Sequence, residues 1–188
     1  SRATVKAIIQ GCAHILETQG YAALNTNEVA RVAGVSIGSV YEYFPGKEAI
    51  IAAMVQDMLD LNLNKLNAEI TSRHNNQFDK AMRHWIGTLF RLVQDNKKIL
   101  QVMLFEVPYS FKLVPIASLQ MQLLQTVLKG ATRSREQYKI NVKPEVLYMI
   151  STLTAGTLIS LTFAPLPGLR DDKILDELAN RIVQWLVE

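Results

Sequence analysis

The side chains best equipped for chemistry in this chain of 188 residues crowd into one short segment. Thr26, Ser36, Ser39, Tyr41 and Tyr43 bring hydroxyls and Lys47 an ammonium group, all donors suited to phosphate oxygens. At about 100° per residue, Val40 and Phe44 share one side of a short helix, and Gly38, Ser39 and Glu42 share the other, with Tyr41 and Tyr43 on its shoulders. Small residues at the centre let a helix backbone approach base edges closely. Phenols on the shoulders reach phosphates on both walls of a major groove. The rival chemistry, catalysis, finds few parts. The histidines, His14, His74 and His84, share no metal-ligand spacing with a cysteine or carboxylate, and no GxGxxG, P-loop or nucleophile elbow occurs. No catalytic residue, metal ligand or cofactor is therefore assigned.

Those donors need elements to hold them, and the local signals supply short helices. Thr26 reads as a helix N-cap, with Val29, Ala30 and Ala33 as the apolar stripe behind it. Gly34 ends that helix through the left-handed conformation glycine tolerates. Ser36 caps the next helix, which must stop before Pro45, and Lys47-Glu48 opens another. Two short helices joined by a tight turn form a helix-turn-helix, whose second helix enters the DNA major groove.

From about Val5 to Ala53 the sequence resembles the tetracycline-repressor (TetR) family of one-component bacterial transcription regulators. The resemblance rests on an amphipathic first helix (Ile8, Ile9, Cys12, Ile15, Leu16), the Gly20-Tyr21 turn and Asn25-Thr26. It continues through Gly34-Val35-Ser36, Gly38-Ser39-Val40-Tyr41, Tyr43-Phe44-Pro45 and Lys47-Glu48. It implies that Thr26, Ser39, Tyr41, Tyr43 and Lys47 touch DNA, mostly phosphates, and that Ile37, Gly38 and Glu42 lie where base readout varies; the capping Ser36 is counted with them as a DNA-binding residue. Two departures are Gly11-Cys12, where alanines are usual, and the acidic Glu42.

Charge supports DNA binding only weakly. The formal net charge is +3. Yet Arg2, Lys6, Arg31 and Lys47 are balanced over residues 1–50 by Glu17, Glu28, Glu42 and Glu48, so the head nets zero. Affinity must then come from doubled contacts in a dimer and from helix N-termini aimed at phosphates.

The chain is longer than such a head requires. An apolar period running from Lys47 to about Ser72 predicts one long helix shared by two modules. Further helices are expected near 78–94, 97–106, 112–134, 144–164 and 171–187. The fold class is all-α. A helix-turn-helix DNA-binding domain (1–46) is joined through the shared helix to an effector-binding and dimerisation domain (47–188). No secretory signal or repeat is seen, and a cytoplasmic location follows. The lone Cys12 excludes an internal disulfide and reads as a packed thiol. Val146–Leu169 lacks charge over a length that would span a bilayer. Its Ser151, Thr152, Thr154, Thr157, Ser160 and Thr162 and two prolines argue instead for a helix buried in protein, with no membrane partner.

By the family resemblance the last two helices pair with those of a second copy in a homodimer. The residues assigned to that contact are Thr152, Gly156, Ser160, Leu175, Leu178, Ile182 and Trp185. Trp85, Leu89, Met103, Phe105, Glu106, Tyr109, Phe111, Met121, Leu124 and Tyr148 are the candidates for a mainly apolar ligand cavity. The function implied is a repressor that binds a palindromic operator and is released by a small apolar or amphipathic effector. A helical carrier or sensor without operator binding is the alternative, with an α-helical enzyme behind it.

Overall fold

The structure is a computed structural model that describes residues 1–72, 78–113, 119, 121–126 and 143–187. It contains α1 (Arg2–Gln19), α2 (Thr26–Ala33), α3 (Ile37–Tyr43), α4 (Lys47–Ser72), α5 (Phe78–Asp95), α6 (Lys97–Phe105), α7 (Ser110–Leu113), α8 (Pro144–Phe163) and α9 (Asp171–Leu186). Among the described residues there is no β-strand. The fold is all-α, and the helices expected near 78–94, 97–106, 144–164 and 171–187 appear within a residue of their expected ends. Most of the helix expected over 112–134 lies outside the described residues.

Two compact units share the chain. The first joins Ser1–Leu61 to Asn96–Ile116, and the second joins Asn62–Asp95 to Ala117–Glu188. This is a different cut from a boundary after residue 46. The N-terminal half of α4 packs with the head, and so does α6, from far along the chain.

In the first unit α2 and α3 have eight and seven residues, too short to persist alone in water. They persist because Val29, Ala30 and Val40 bury against Ile8, Cys12, Ile15 and Leu16 of α1, Ile50, Ile51, Met54 and Val55 of α4, and Ile99, Val102 and Met103 of α6. Each fully buried aliphatic side chain contributes about 1.5–3 kcal/mol, enough in sum to hold helices that propensity alone would not. Cys12 sits inside this core, and burial pushes its thiol up to about 12. At pH 8 the thiolate population is then ~10⁻⁴, so iodoacetamide should label native Cys12 about a thousandfold more slowly than the unfolded chain. Mass spectrometry of a labelling time course measures this.

In the second unit α9 lies along α5 and both meet α8. Leu66, Phe78, Met82, Trp85, Ile86, Ile150, Leu178, Ala179, Ile182 and Leu186 make the core. Helix α8 is apolar on more than one side. Ile150, Thr154, Leu158 and Leu161 recur at helical spacing on the buried side, while Met149, Thr152, Leu153, Gly156, Ile159 and Ser160 are exposed. By length and composition α8 is a candidate membrane span, with mean hydropathy 1.6.

The residues assigned to the dimer contact differ in how far their own chain buries them. Leu178 and Ile182 are 5% and 0% exposed within this single chain, so they are spent on its own core. Leu175 is half-buried against the same core. Thr152, Gly156, Ser160 and Trp185 remain exposed and available to a partner.

Candidate nucleic-acid interface

The helix-turn-helix forms through caps that the sequence supplies. Asn25, one residue before the expected position, is the N-cap of α2, its side chain accepting from the Glu28 N–H at 2.9 Å. This displaces Thr26 into the first helical position. Its hydroxyl is thereby freed to hydrogen-bond the Tyr41 hydroxyl of α3 at 3.1 Å. Gly34 takes the left-handed conformation, φ 68° and ψ 31°, and its N–H closes onto Ala30 and Arg31 carbonyls. Any other residue would strain that turn. Ser36 caps α3 as expected, accepting from the Ser39 N–H at 3.0 Å, and its hydroxyl meets the Ser39 hydroxyl at 2.9 Å.

Val40 is fully buried and Phe44 nearly so, which fixes how α3 is rotated. Ile37, Gly38, Tyr41, Glu42 and Tyr43 are then exposed, with Tyr41 at 56%. A Cβ built at Gly38 would meet only Ser36 Oγ, at 3.7 Å, so the middle of the outward face is open. Thr26, Ser36 and Ser39 stand beside it, tied into the two hydroxyl pairs just described. The structure thus brings eight of the nine expected DNA residues onto this helix pair. The ninth, Lys47, opens α4 and is half-buried. Its ammonium lies 4.4 Å from the centre of the Tyr21 ring and donates to the Leu24 carbonyl at 3.5 Å, just before α2 begins.

Other charges shape the surface. Arg31 is paired with Glu28 at 2.6 Å, and that bond holds the Glu28 carboxyl below its usual range. Arg31 is thus no free cation for phosphate. In the sequence Arg2 and Lys6 stand out only as charge. Here they line, with Val5, Ile9, Tyr43 and Asp57, a shallow cleft beside the end of α3. Their spacing of four residues puts both on one face of α1, which is the signal that would have singled them out.

The residues expected to line a ligand cavity divide between the two units. Met103 is buried in the head core and Tyr109 packs against it, whereas Trp85 and Leu89 belong to the core of the second unit. Phe105, Met121 and Tyr148 are 69%, 55% and 66% exposed. Glu106 accepts from the Tyr21 N–H, and Leu124 is half-buried. The Phe111 side chain lies outside what is described. Apolar periodicity identified residues that prefer burial but not which core would take each. A different cleft, of about 310 Å³, is lined within the second unit by Lys65, Ala68, Thr88, Arg91, Leu92 and Asp95. Thr88 is buried there and accepts from Arg91 Nη2 at 2.9 Å.

Comparison with known proteins agrees with this geometry. Residues 8–54 match the family described as bacterial regulatory proteins, tetR family. An HTH-type transcriptional regulator of Bacillus subtilis, YerO, is 24% identical over 99 residues, which is 53% of this chain and 34% of that protein. The match thus spans about a third of that curated relative. Among solved structures, a Mesorhizobium loti protein assigned to the TetR family superposes with a TM-score of 0.75 at 14% identity, covering 100% of both chains. The fatty acid degradation regulator FadR of Bacillus halodurans superposes with a TM-score of 0.65 at 13% identity, covering 96% of this chain and 94% of that one. Residues 8–54 thus carry the helix-turn-helix segment that the tetR family model describes, and the chain as a whole has the all-α fold of these neighbours.

Proposed function

We propose that the chain is a one-component transcription regulator, most simply a repressor. It binds a roughly palindromic operator as a two-fold dimer in the cytoplasm and releases it when a small apolar or amphipathic molecule binds the second unit. The observation that carries this reading is the outward face of α3. An open centre at Gly38 flanked by exposed Tyr41 and Tyr43 is a surface for a groove, not for a core. One such head reads too few base pairs for useful specificity, so two are needed, about 34 Å apart on one face of the duplex. Selection from a random-sequence duplex pool should enrich an inverted repeat with half-sites one helical turn apart. Enrichment of no duplex, or of a single unrepeated site, would remove the reading.

The exposed apolar stripe of α8, with Trp185 of α9, supports a subunit contact rather than a membrane span. For the effector, the cleft lined by Thr88 has apolar walls at Ala68 and Leu92, cations at Lys65 and Arg91 and the carboxylate of Asp95. That combination suits an amphipathic molecule, a class in keeping with the fatty acid regulator among the structural neighbours. A carrier without operator binding would have no use for the α3 face.

Release obeys linkage. A 100-fold loss of operator affinity requires about 2.7 kcal/mol of differential ligand binding, and the operator must weaken the ligand by the same factor. Ala68→Trp, which fills the cleft from an exposed position on its wall, should blunt release while leaving operator affinity within about threefold. Titration of a molecule co-purified with the protein, with and without the selected duplex, measures both. Equal affinity in the two titrations would reduce the protein to a DNA binder with an unrelated pocket.

A further inference from the structure

The end of α6 is built into the DNA-binding head by contacts far apart in sequence. Glu106, the C-cap of α6, accepts from the Tyr21 N–H at 3.0 Å, and the Tyr21 hydroxyl donates to the Tyr109 hydroxyl at 3.3 Å. The two phenol rings meet edge to face, with centres 6.3 Å apart and planes at 74°. The carboxylate comes so close that a Cβ at Gly20, where φ is +79°, would lie 2.9 Å from Glu106 Oε2. Burial, then the bond from Tyr21, raise the Tyr109 hydroxyl above its ordinary range. The Lys47 ammonium lies over the Tyr21 ring, 4.4 Å from its centre.

We infer that Glu106 and Tyr109 are positioning residues for DNA binding, acting through Tyr21 to hold Lys47 where a phosphate docks. Lys47 is long and has many rotamers, and fixing it costs entropy unless the fold fixes it beforehand. Tyr21 does so. The ring steers the ammonium to the Leu24 carbonyl, beside the N-terminus of α2 and the paired hydroxyls of Thr26 and Tyr41. A phosphate there would meet the helix N-terminus, two hydroxyls and one cation together. The ring cannot do this unless its own orientation is set. Its backbone and hydroxyl are both held from the α6 end, at sequence separations of 85 and 88.

This inference rests on the reading of Lys47 as a phosphate contact, and the experiment separates the two. Binding to the duplex selected by the wild-type protein is measured as a function of salt for Lys47→Ala, Glu106→Ala, Tyr21→Leu, Glu106→Gln and Tyr21→Phe. Loss of one phosphate contact per head should flatten log K against log salt by about 1.8 for a dimer. Lys47→Ala, Glu106→Ala and Tyr21→Leu should each show that flattening, and Lys47→Ala with Glu106→Ala should show no more than Lys47→Ala alone. Glu106→Gln still offers an oxygen to the Tyr21 N–H and should keep the wild-type slope, whereas Tyr21→Phe keeps the ring but loses the hydroxyl bond to Tyr109 and should show the flattening in part. A merely structural defect would lower affinity without changing the slope.

A readout without DNA is the ring-current shift of the Lys47 ε-methylene protons, which should collapse in Glu106→Ala and persist in Glu106→Gln. Glu106 is exposed, so its substitution should leave the fold intact, and the test stands even if Tyr21→Leu fails to fold. A wild-type slope and an unchanged Lys47 resonance in Glu106→Ala would overturn the inference while leaving the DNA-binding reading in place. A wild-type slope in Lys47→Ala would overturn the phosphate contact itself, and the inference with it.

Discussion

Leu153→Arg is expected to convert the protein to monomers at micromolar concentration and to lower operator affinity by at least about a hundredfold, the avidity lost when one of two linked heads is removed. Leu153 is 42% exposed on a helix whose opposite side is already buried. Met149, Thr152, Leu153, Gly156 and Ser160 lie at the i, i+3, i+4, i+7 and i+11 spacing of one stripe. Among the described residues, apart from its own helix, nothing lies within 4 Å of a Cβ built at Gly156. A helical glycine costs up to about 1 kcal/mol against alanine, and none of those residues uses the space of the missing side chain. A second copy approaching that bare backbone would. Arginine at Leu153 places an unpaired charge in such a contact but leaves the folded chain untouched.

The contrast with Ile182→Arg makes this measurement decisive. Ile182 is fully buried within its own chain, so the same charge there should lower the melting temperature or prevent folding rather than yield folded monomers. Sedimentation and thermal melts of both variants distinguish the cases. A native-like dimer in Leu153→Arg would remove α8 from the contact.

Helices α1 to α6 are legible in the sequence because one-sided apolar periodicity and punctuation by Gly34, Ser36 and Pro45 are local. So is the rotation of α3, since Val40 and Phe44 fall on one side. The N-cap of α2 differs by one residue from its expected place because Asn25 and Thr26 both suit that position, and only backbone geometry decides. For α8 and α9 periodicity finds the apolar positions but not which of them their own chain buries. A charge-free helix buried against its own chain reads the same as one buried against another. The role of Glu106 is invisible in the sequence because its partner, Tyr21, is 85 residues away. Its position at the end of an apolar run suggests only exposure or a ligand.

The α3 face should separate affinity from sequence choice. Tyr41→Phe removes one hydroxyl and nothing else, since Val40 rather than Tyr41 anchors the helix in the core. That hydroxyl pairs with Thr26 at 3.1 Å, so the two present a joint donor site at the start of α2. A hydrogen bond to a charged oxygen contributes about 1.5–3 kcal/mol. In a two-fold dimer each substitution acts at both half-sites. The expected loss is therefore about 3–6 kcal/mol, a factor of roughly 10² to 10⁴, and it should apply to every duplex alike. Glu42→Gln should behave differently. Its carboxylate stands exposed on the face beside Ile37 and Gly38, where an acceptor can take the cytosine amino group. The amide adds a donor, so the selected sequence should change at one position per half-site while total affinity for the best duplex stays within about tenfold. Parallel selections with wild type, Tyr41→Phe and Glu42→Gln measure both effects. An unchanged consensus in Glu42→Gln would mean that Glu42 faces solvent in the complex. Unchanged binding in Tyr41→Phe would mean that the phosphate docks elsewhere on the head.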